Sequence, residues 1–485
     1  VRAEAPARAL SAPTAPVWFG TLFLGLIVLA PLPFGSNRPV WWSLLGLATT
    51  ALTLCYLVLI AKQGPSGTGL RLRPVAGFLV PFTAALIWAA CQMLPLGPAE
   101  DLAANPLWPL AGEALSRAVP AAVSLDPHET GTGMLRLLTY GLVFWLALEL
   151  GRRRGFAERA LRWLAYAGLA YAGYGLLMHV LGIERILWFP KWAYEGFITS
   201  TFINRNSYAT YAALGLLAAL AVLVDTLRLK AGAPRAKRAA ARAVLDRLAG
   251  PALLPLITCL VIATALAGTG SRAGMLSLAL GLIVFGFAAA FARLIRLRYA
   301  LAGILLLAGL LGTMIALQGG ALIDRLEADT LDKDRSARTE LYALTLDATR
   351  DNPLLGAGLG TFPEVFSMYR DASFDTLGPI GKAHNSYLGN ALELGIPAAL
   401  LILVALLAIA ERSLTGLRRR RRARLFPVLG LAVLIVVALH STVDFSLEIP
   451  AVGVTFAALM GITCAQSLPS TRRVRKKPVL KVVKA

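Results

Sequence analysis

Apolar stretches long enough to cross a bilayer recur along almost the whole chain, and no other feature narrows the fold as far. A spanning helix needs about 20 mostly apolar residues. Stretches near 17–35, 40–61, 74–95, 134–150, 161–181, 207–224, 252–268, 274–292, 300–318, 385–410, 425–443 and 450–467 meet that requirement. In lipid every backbone polar group must pair internally, and such runs satisfy this as helices. The sequence therefore predicts an all-α polytopic membrane protein with about twelve transmembrane helices. Composition agrees: 15% of residues are charged and 57% are hydrophobic, against about 25% charged in a soluble domain.

The net charge of +21 raises nucleic acid as a partner, and its distribution removes it. The basic residues sit in short tracts at 71–73, 151–162, 228–247, 293–298, 418–424 and the C-terminus. The alternate loops, at 36–39, 96–133, 182–206, 269–273, 319–384 and 444–449, are short, mixed or acidic. That alternation is the positive-inside pattern. It predicts cytoplasmic termini and an outward-facing, periplasmic 319–384 loop between spans nine and ten. The expected organisation is a tail over 1–16, a membrane domain over 17–467 and a basic cytoplasmic tail over 468–485. The first apolar run has no clear cleavage site and reads as a retained helix. Cys55, Cys91, Cys259 and Cys464 lie inside apolar runs without metal-ligand spacing and read as buried small hydrophobes. No metal site or cofactor is expected.

Two outward segments carry interfacial signals. Residues 96–133 are Pro-rich and include Trp108, and 182–200 hold Trp188, Phe189, Trp192 and Tyr194. Aromatic side chains favour the headgroup zone. The Ala-, Arg- and Lys-rich 231–247 tract reads as an amphipathic helix on anionic membrane lipid.

The residues suited to chemistry lie on the predicted outward side. Arg205 stands between Asn204 and Asn206 at the start of span six. Arg272 follows Ser271 in a Gly-rich turn, residues 268–274, that opens span eight. Backbone N–H groups at such a helix start favour an anion, and a guanidinium adds a fixed fork for phosphate oxygens. The competing structural reading is a tight turn with a solvated arginine. His384, followed by Asn385, begins span ten, and a neutral imidazole accepts a proton from a hydroxyl near pH 7. Its structural alternative is a polar helix start without chemistry. Arg338 and Tyr342 lie four apart on one helical face within the large loop. Gly356, Gly358 and Gly360 permit tight turns there, but no strand–helix context makes them a nucleotide fingerprint. His440, near Asp444, reads as half of a hydrogen-bonded strut, His179 as a core histidine and His128 as a loop residue without a supporting partner.

Taken together, the Asn-Arg-Asn segment at 204–206, the Thr-Gly-Ser-Arg-Ala-Gly turn at 269–274, the Arg338/Tyr342 helix followed by NPLLGAGLGTF, and HNSYLGNALELGIP from 384 resemble the O-antigen ligase/polymerase superfamily. The 124–140 and 440–451 segments are similar to members found with exopolysaccharide gene sets. The resemblance implies a metal-independent inverting glycosyltransferase of the inner membrane. Its donor would be a glycan on undecaprenyl pyrophosphate. Its acceptor would be lipid A core or a growing glycan, in ligase or polymerase action. Carried over, Arg205, Arg272 and Arg338 would bind pyrophosphate and His384 would deprotonate the acceptor hydroxyl. Asn204, Asn206, Ser271, Asn385 and Tyr342 would support them. The contrasting class is a transporter or flippase of lipid-linked saccharides, which would carry its polar residues near the bilayer midplane.

Overall fold

The structure is a computed structural model that describes residues 15–62, 75–97, 104–105, 107–228, 237–303, 305, 309, 328–370, 380–420 and 423–468. The expected tails, the basic tract at 71–73, most of the ninth span and the start of the large loop lie outside these residues.

Among the described residues the fold is helical apart from one two-stranded ribbon. In chain order the helices are α1 (Val17–Leu29), α2 (Pro39–Ala61), α3 (Ala76–Gln92), α4 (Leu107–Leu115), α5 (Pro127–Gly151) and α6 (Arg154–Val180). The ribbon follows, pairing β1 (Arg185–Ile186) with β2 (Phe189–Pro190) in antiparallel register. Then come α7 (Arg205–Leu227), α8 (Lys237–Leu248), α9 (Leu253–Ala267) and α10 (Arg272–Phe291). The chain closes with α11 (Ala328–Asp351), α12 (Phe362–Tyr369), α13 (Ser386–Leu394), α14 (Ile396–Arg419), α15 (Leu425–His440) and α16 (Pro450–Ser467).

Six of these helices, α2, α5, α7, α10, α14 and α16, are long and apolar enough to cross a membrane. A seventh span forms if α8 and α9, bent by 64°, are taken as one. The apolar helices α1, α3 and α15 are shorter. The chain is thus a multi-pass membrane protein, with fewer full-length spans among the described residues than the twelve expected.

α16 is buried along its whole length and α7 along nearly all of it, so these two form the centre of the bundle. Small residues let the backbones approach, as van der Waals packing between membrane helices requires. On α16, a Cβ at Gly461 would fall 2.4 Å from the Phe144 carbonyl oxygen of α5. Where α6 meets α7, a Cβ at Gly168 would lie 3.2 Å from the Gly215 Cα.

The expected span over 385–410 is two helices. Gly395 has φ +79° and separates α13 from α14. The end of α13 leaves carbonyls that its own turn cannot satisfy. The Gly-rich loop supplies donors: Ala357 N–H to Leu392 O at 3.0 Å and Gly358 N–H to Glu393 O at 2.8 Å. The Trp88 indole donates to Leu394 O at 2.8 Å, and the Gln92 amide to Glu393 O at 2.9 Å. The Gly356–Gly360 stretch is thereby explained as a buried backbone seat that fixes α13, and with it His384, against α3.

Candidate functional site

Four segments meet around His384: the Tyr194–Phe197 loop after the ribbon, α11, the 380–385 approach to α13, and the 441–448 connection between α15 and α16. Asn385 caps α13, its Oδ1 accepting from Tyr387 N at 3.0 Å and Leu388 N at 3.1 Å. Capping requires the chain to leave helical geometry just before α13, and His384 stands there at φ +52°. A left-handed histidine is strained unless its surroundings hold it. Here Tyr342 Oη donates to the His384 carbonyl at 3.0 Å, and Ser386 N donates to Ser441 O at 2.9 Å.

The imidazole packs edge-on against Phe445, with ring centroids 4.8 Å apart. Its Nδ1 lies 3.8 Å from Asp444 Oδ1, and the two side chains are 29% and 1% exposed. At that distance the atoms face each other without a hydrogen bond, and neither has another hydrogen-bond partner. The other Asp444 oxygen accepts from the Ser446 hydroxyl. Burial pushes the His384 imidazole below its ordinary pKa, the Asp444 carboxylate opposes that shift, and Arg338 adds to it. Burial also raises the Asp444 carboxyl, against the Ser446 hydrogen bond and the His384 charge. The lowered pKa favours the neutral imidazole at pH 7, with Nδ1 the nitrogen turned to the carboxylate.

The expected arginines fall at different distances from this pair. Arg338 reaches it directly, Nη1 donating to Val443 O at 3.4 Å. Arg205 opens α7, with its guanidinium 4.1 Å from the Phe197 ring centroid and 5.6 Å from that of Tyr194. Burial raises the Tyr194 hydroxyl pKa, and Arg205, Asp444 and Arg338 all act on it. Tyr194 thus links the arginine at the start of α7 to the His384 cluster. The turn before α10 lies on the same patch, because a Cβ at Gly270 would come 2.6 Å from the Phe197 ring and 3.5 Å from Arg205 Nη1. Arg272, two residues on, is exposed at the first position of α10. No hydrogen bond or ion pair to another described residue fixes it.

The remaining candidates are explained by helix geometry. Asn204 caps α7 by accepting from Asn206 N at 2.7 Å, and Ser271 caps α10 by accepting from Gly274 N at 3.2 Å. Asn206 follows Arg205 in the first turn, where its carbonyl accepts from the Thr210 hydroxyl at 3.2 Å. The density of polar residues at these helix starts is largely capping chemistry.

One expectation is corrected here. Asp444 faces His384, and His440 instead shares a short hydrogen bond through Nδ1 with the Thr210 hydroxyl. Their spacing of four suggested a strut, but α15 ends at His440 and the chain turns before Asp444. Sequence reasoning also passed over Lys382 and Glu448, an ion pair of 2.6 Å beside the cluster. A lysine two residues before the histidine was the available signal. Among the described residues no three His, Cys, Asp or Glu side chains gather as metal ligands.

The fold and this cluster define a multi-pass membrane protein with a His–Asp pair and arginines gathered at one end of its helices. A family model described as O-Antigen ligase matches residues 257–403, the stretch from α9 into α14 that carries Arg272, Arg338 and His384. That match supports the resemblance of this segment to the O-antigen ligase/polymerase superfamily, a family of glycosyl transfer in surface polysaccharide synthesis. Arg205 and Asp444 lie outside the matched stretch. No curated protein matches the chain.

Proposed function

We propose that the protein transfers a glycan from undecaprenyl pyrophosphate to an acceptor hydroxyl at the outer face of the inner membrane. The acceptor is lipid A core or a growing glycan. The observation that carries this reading is the left-handed His384 set against buried Asp444 with Arg338 beside it.

His384 Nε2 takes the proton of the acceptor hydroxyl as its oxygen bonds to the anomeric carbon of the donor sugar. The bond from that carbon to the pyrophosphate oxygen breaks on the opposite face, which inverts the centre. The electron pair leaves on the pyrophosphate. Asp444 orients the ring through Nδ1 and stabilises the imidazolium that forms, as a buried carboxylate does beside a catalytic histidine. Arg205, Arg338 and Arg272 balance the charge that develops on the departing pyrophosphate. Arg205 is presented by its stack on Phe197, and Arg272 is free to swing from the start of α10 onto the same patch. Tyr342, the caps Asn204, Ser271 and Asn385, and Asn206 in the first turn of α7 hold these groups in place.

Purified His384→Ala protein tests the reading. It should fold and lose transfer, and retained transfer would remove His384 as the base.

A further inference from the structure

The ribbon between α6 and α7 takes no direct part in the reaction above, yet a buried charge stands at its base. An isolated two-stranded ribbon is marginal in water, and here both residues of β2 are exposed. The ribbon is therefore tied down from outside. At its tip Leu187 N donates to the Tyr174 hydroxyl of α6 at 2.7 Å. At its base the Lys191 side chain is 5% exposed, and its Nζ donates to Glu184 Oε2 at 2.9 Å and to Phe197 O at 2.7 Å. Burying an ammonium is costly unless charged and polar partners meet it, so a lysine here draws its two partners together.

Glu184 and Phe197 bound the ribbon and the loop that follows it. Glu184 also accepts from Gly196 N through Oε1, at 2.8 Å. The loop turns tightly, with Tyr194 at φ +56° and Gly196 at φ +76°, and Phe197 N donates to Tyr194 O at 3.3 Å. The peptide group joining Phe197 to Ile198 is bonded at both ends. Its carbonyl accepts from Lys191 Nζ, and its N–H donates to Gly268 O at 2.9 Å, at the end of α9. Ile198 is buried against that end, where a Cβ at Gly268 would come 2.5 Å from its side chain.

This clamped peptide group carries the ring that faces a cation. The Arg205 guanidinium carbon lies 4.1 Å from the Phe197 ring centroid. Such a stack orients the planar guanidinium fork. Lys191 has its side chain buried and two of its three protons engaged within the loop. Its place in the structure is to hold another cation's support rather than to meet an anion.

We infer that Lys191, held by Glu184, is a positioning residue for Arg205: it fixes the Phe197 ring on which the guanidinium is presented to the pyrophosphate. This inference rests on the role proposed above for Arg205. Misplacement of a group by about 1 Å can cost about 100-fold in rate, so a tie two contacts away from the departing pyrophosphate is felt there.

The test is a double-mutant cycle on the purified full chain, read as kcat/KM for the lipid-linked donor at saturating acceptor. Lys191→Met keeps an unbranched stem and removes both ties. It should lower kcat/KM about tenfold, the effect of losing a hydrogen-bonded charge. In an Arg205→Lys background, where the planar stack is already lost, the same substitution should change kcat/KM by less than about twofold. The acid limb of the rate–pH profile should stay in place, because His384 and Asp444 are untouched. Glu184→Gln keeps an acceptor for Gly196 N and removes the carboxylate, so it should give a smaller loss in the same direction. If Lys191→Met fails to fold, Glu184→Gln takes its place in the cycle. Wild-type kcat/KM in both variants would overturn the inference. An equal loss with and without the Arg205 stack would overturn it too, since a lysine that only supports folding acts alike in either background. Both results leave the role of Arg205 standing. Wild-type transfer by Arg205→Lys would instead remove that role, and this inference with it.

Discussion

His384 Nδ1 and Asp444 Oδ1 face each other at 3.8 Å across a buried gap, and neither has another hydrogen-bond partner. The backbone holds both ends of this relationship. His384 is pinned in left-handed geometry ahead of α13, and Asp444 is fixed by Ser446 in the turn before α16. A hydrogen bond across this gap would orient the ring for proton transfer at its opposite nitrogen.

This pair sets a pH dependence. The reaction needs neutral His384, whose pKa is lowered by burial. Transfer should rise with pH through an acid limb below about 6.5, the ordinary histidine value. Asp444 opposes the lowering, so Asp444→Asn should move the limb to still lower pH. The same variant should slow transfer above the limb by about 10- to 100-fold, because the ring loses its orientation. Rate–pH profiles of the two proteins decide the point, and a limb that moves upward would contradict it. Linkage gives a matching stability signature. The lowered pKa means the unfolded chain binds more protons. Stability should therefore fall as pH drops below about 6.5 and level off below the folded-state pKa.

Arg205→Lys keeps the charge and removes the planar stack on Phe197 at 4.1 Å. Lysine also lacks the fork that matches two phosphate oxygens. Transfer at saturating acceptor should fall about tenfold or more, with the protein still folded. Initial rates over a donor titration measure it, and wild-type rates would show that charge alone suffices at this position.

Gly395→Ala tests the seat of α13. A Cβ there would come 2.3 Å from Leu354 O, on a residue at φ +79°. Backbone strain of this kind costs about 1–3 kcal/mol, and the clash with the Leu354 carbonyl adds to it. The thermal midpoint in detergent should drop, and transfer should fall as His384 shifts with α13. An unchanged midpoint would mean that the Gly-rich loop yields without cost.

The sequence displayed the helical membrane class plainly, because apolar run length and loop charge depend on composition alone. His384, Arg338 and Tyr342 were also legible, since a titratable group at the mouth of an apolar run and a helical spacing of four are local patterns. The break at Gly395 was not, because hydropathy averages over a residue whose φ is positive. The signal existed: Gly395 is followed by Ile396 and Pro397, and a proline in the first helical turn marks a new start. Asp444 was visible but assigned to His440. Pairing across 60 residues between His384 and Asp444 depends on how the turn after α15 folds back, which no window around either residue contains. The Lys382–Glu448 pair was hidden for the same reason.

The most direct test of the account is reconstitution in liposomes with one lipid-linked repeat unit and no other acceptor, followed by gel analysis of the lipid-linked products. The account predicts a ladder of longer chains from the wild-type protein and none from His384→Ala at equal protein levels. An undiminished ladder from His384→Ala would contradict the assignment of His384 as the base. No ladder from the wild type, with transfer appearing only when lipid A core is added, would contradict repeat-unit joining and leave a ligase.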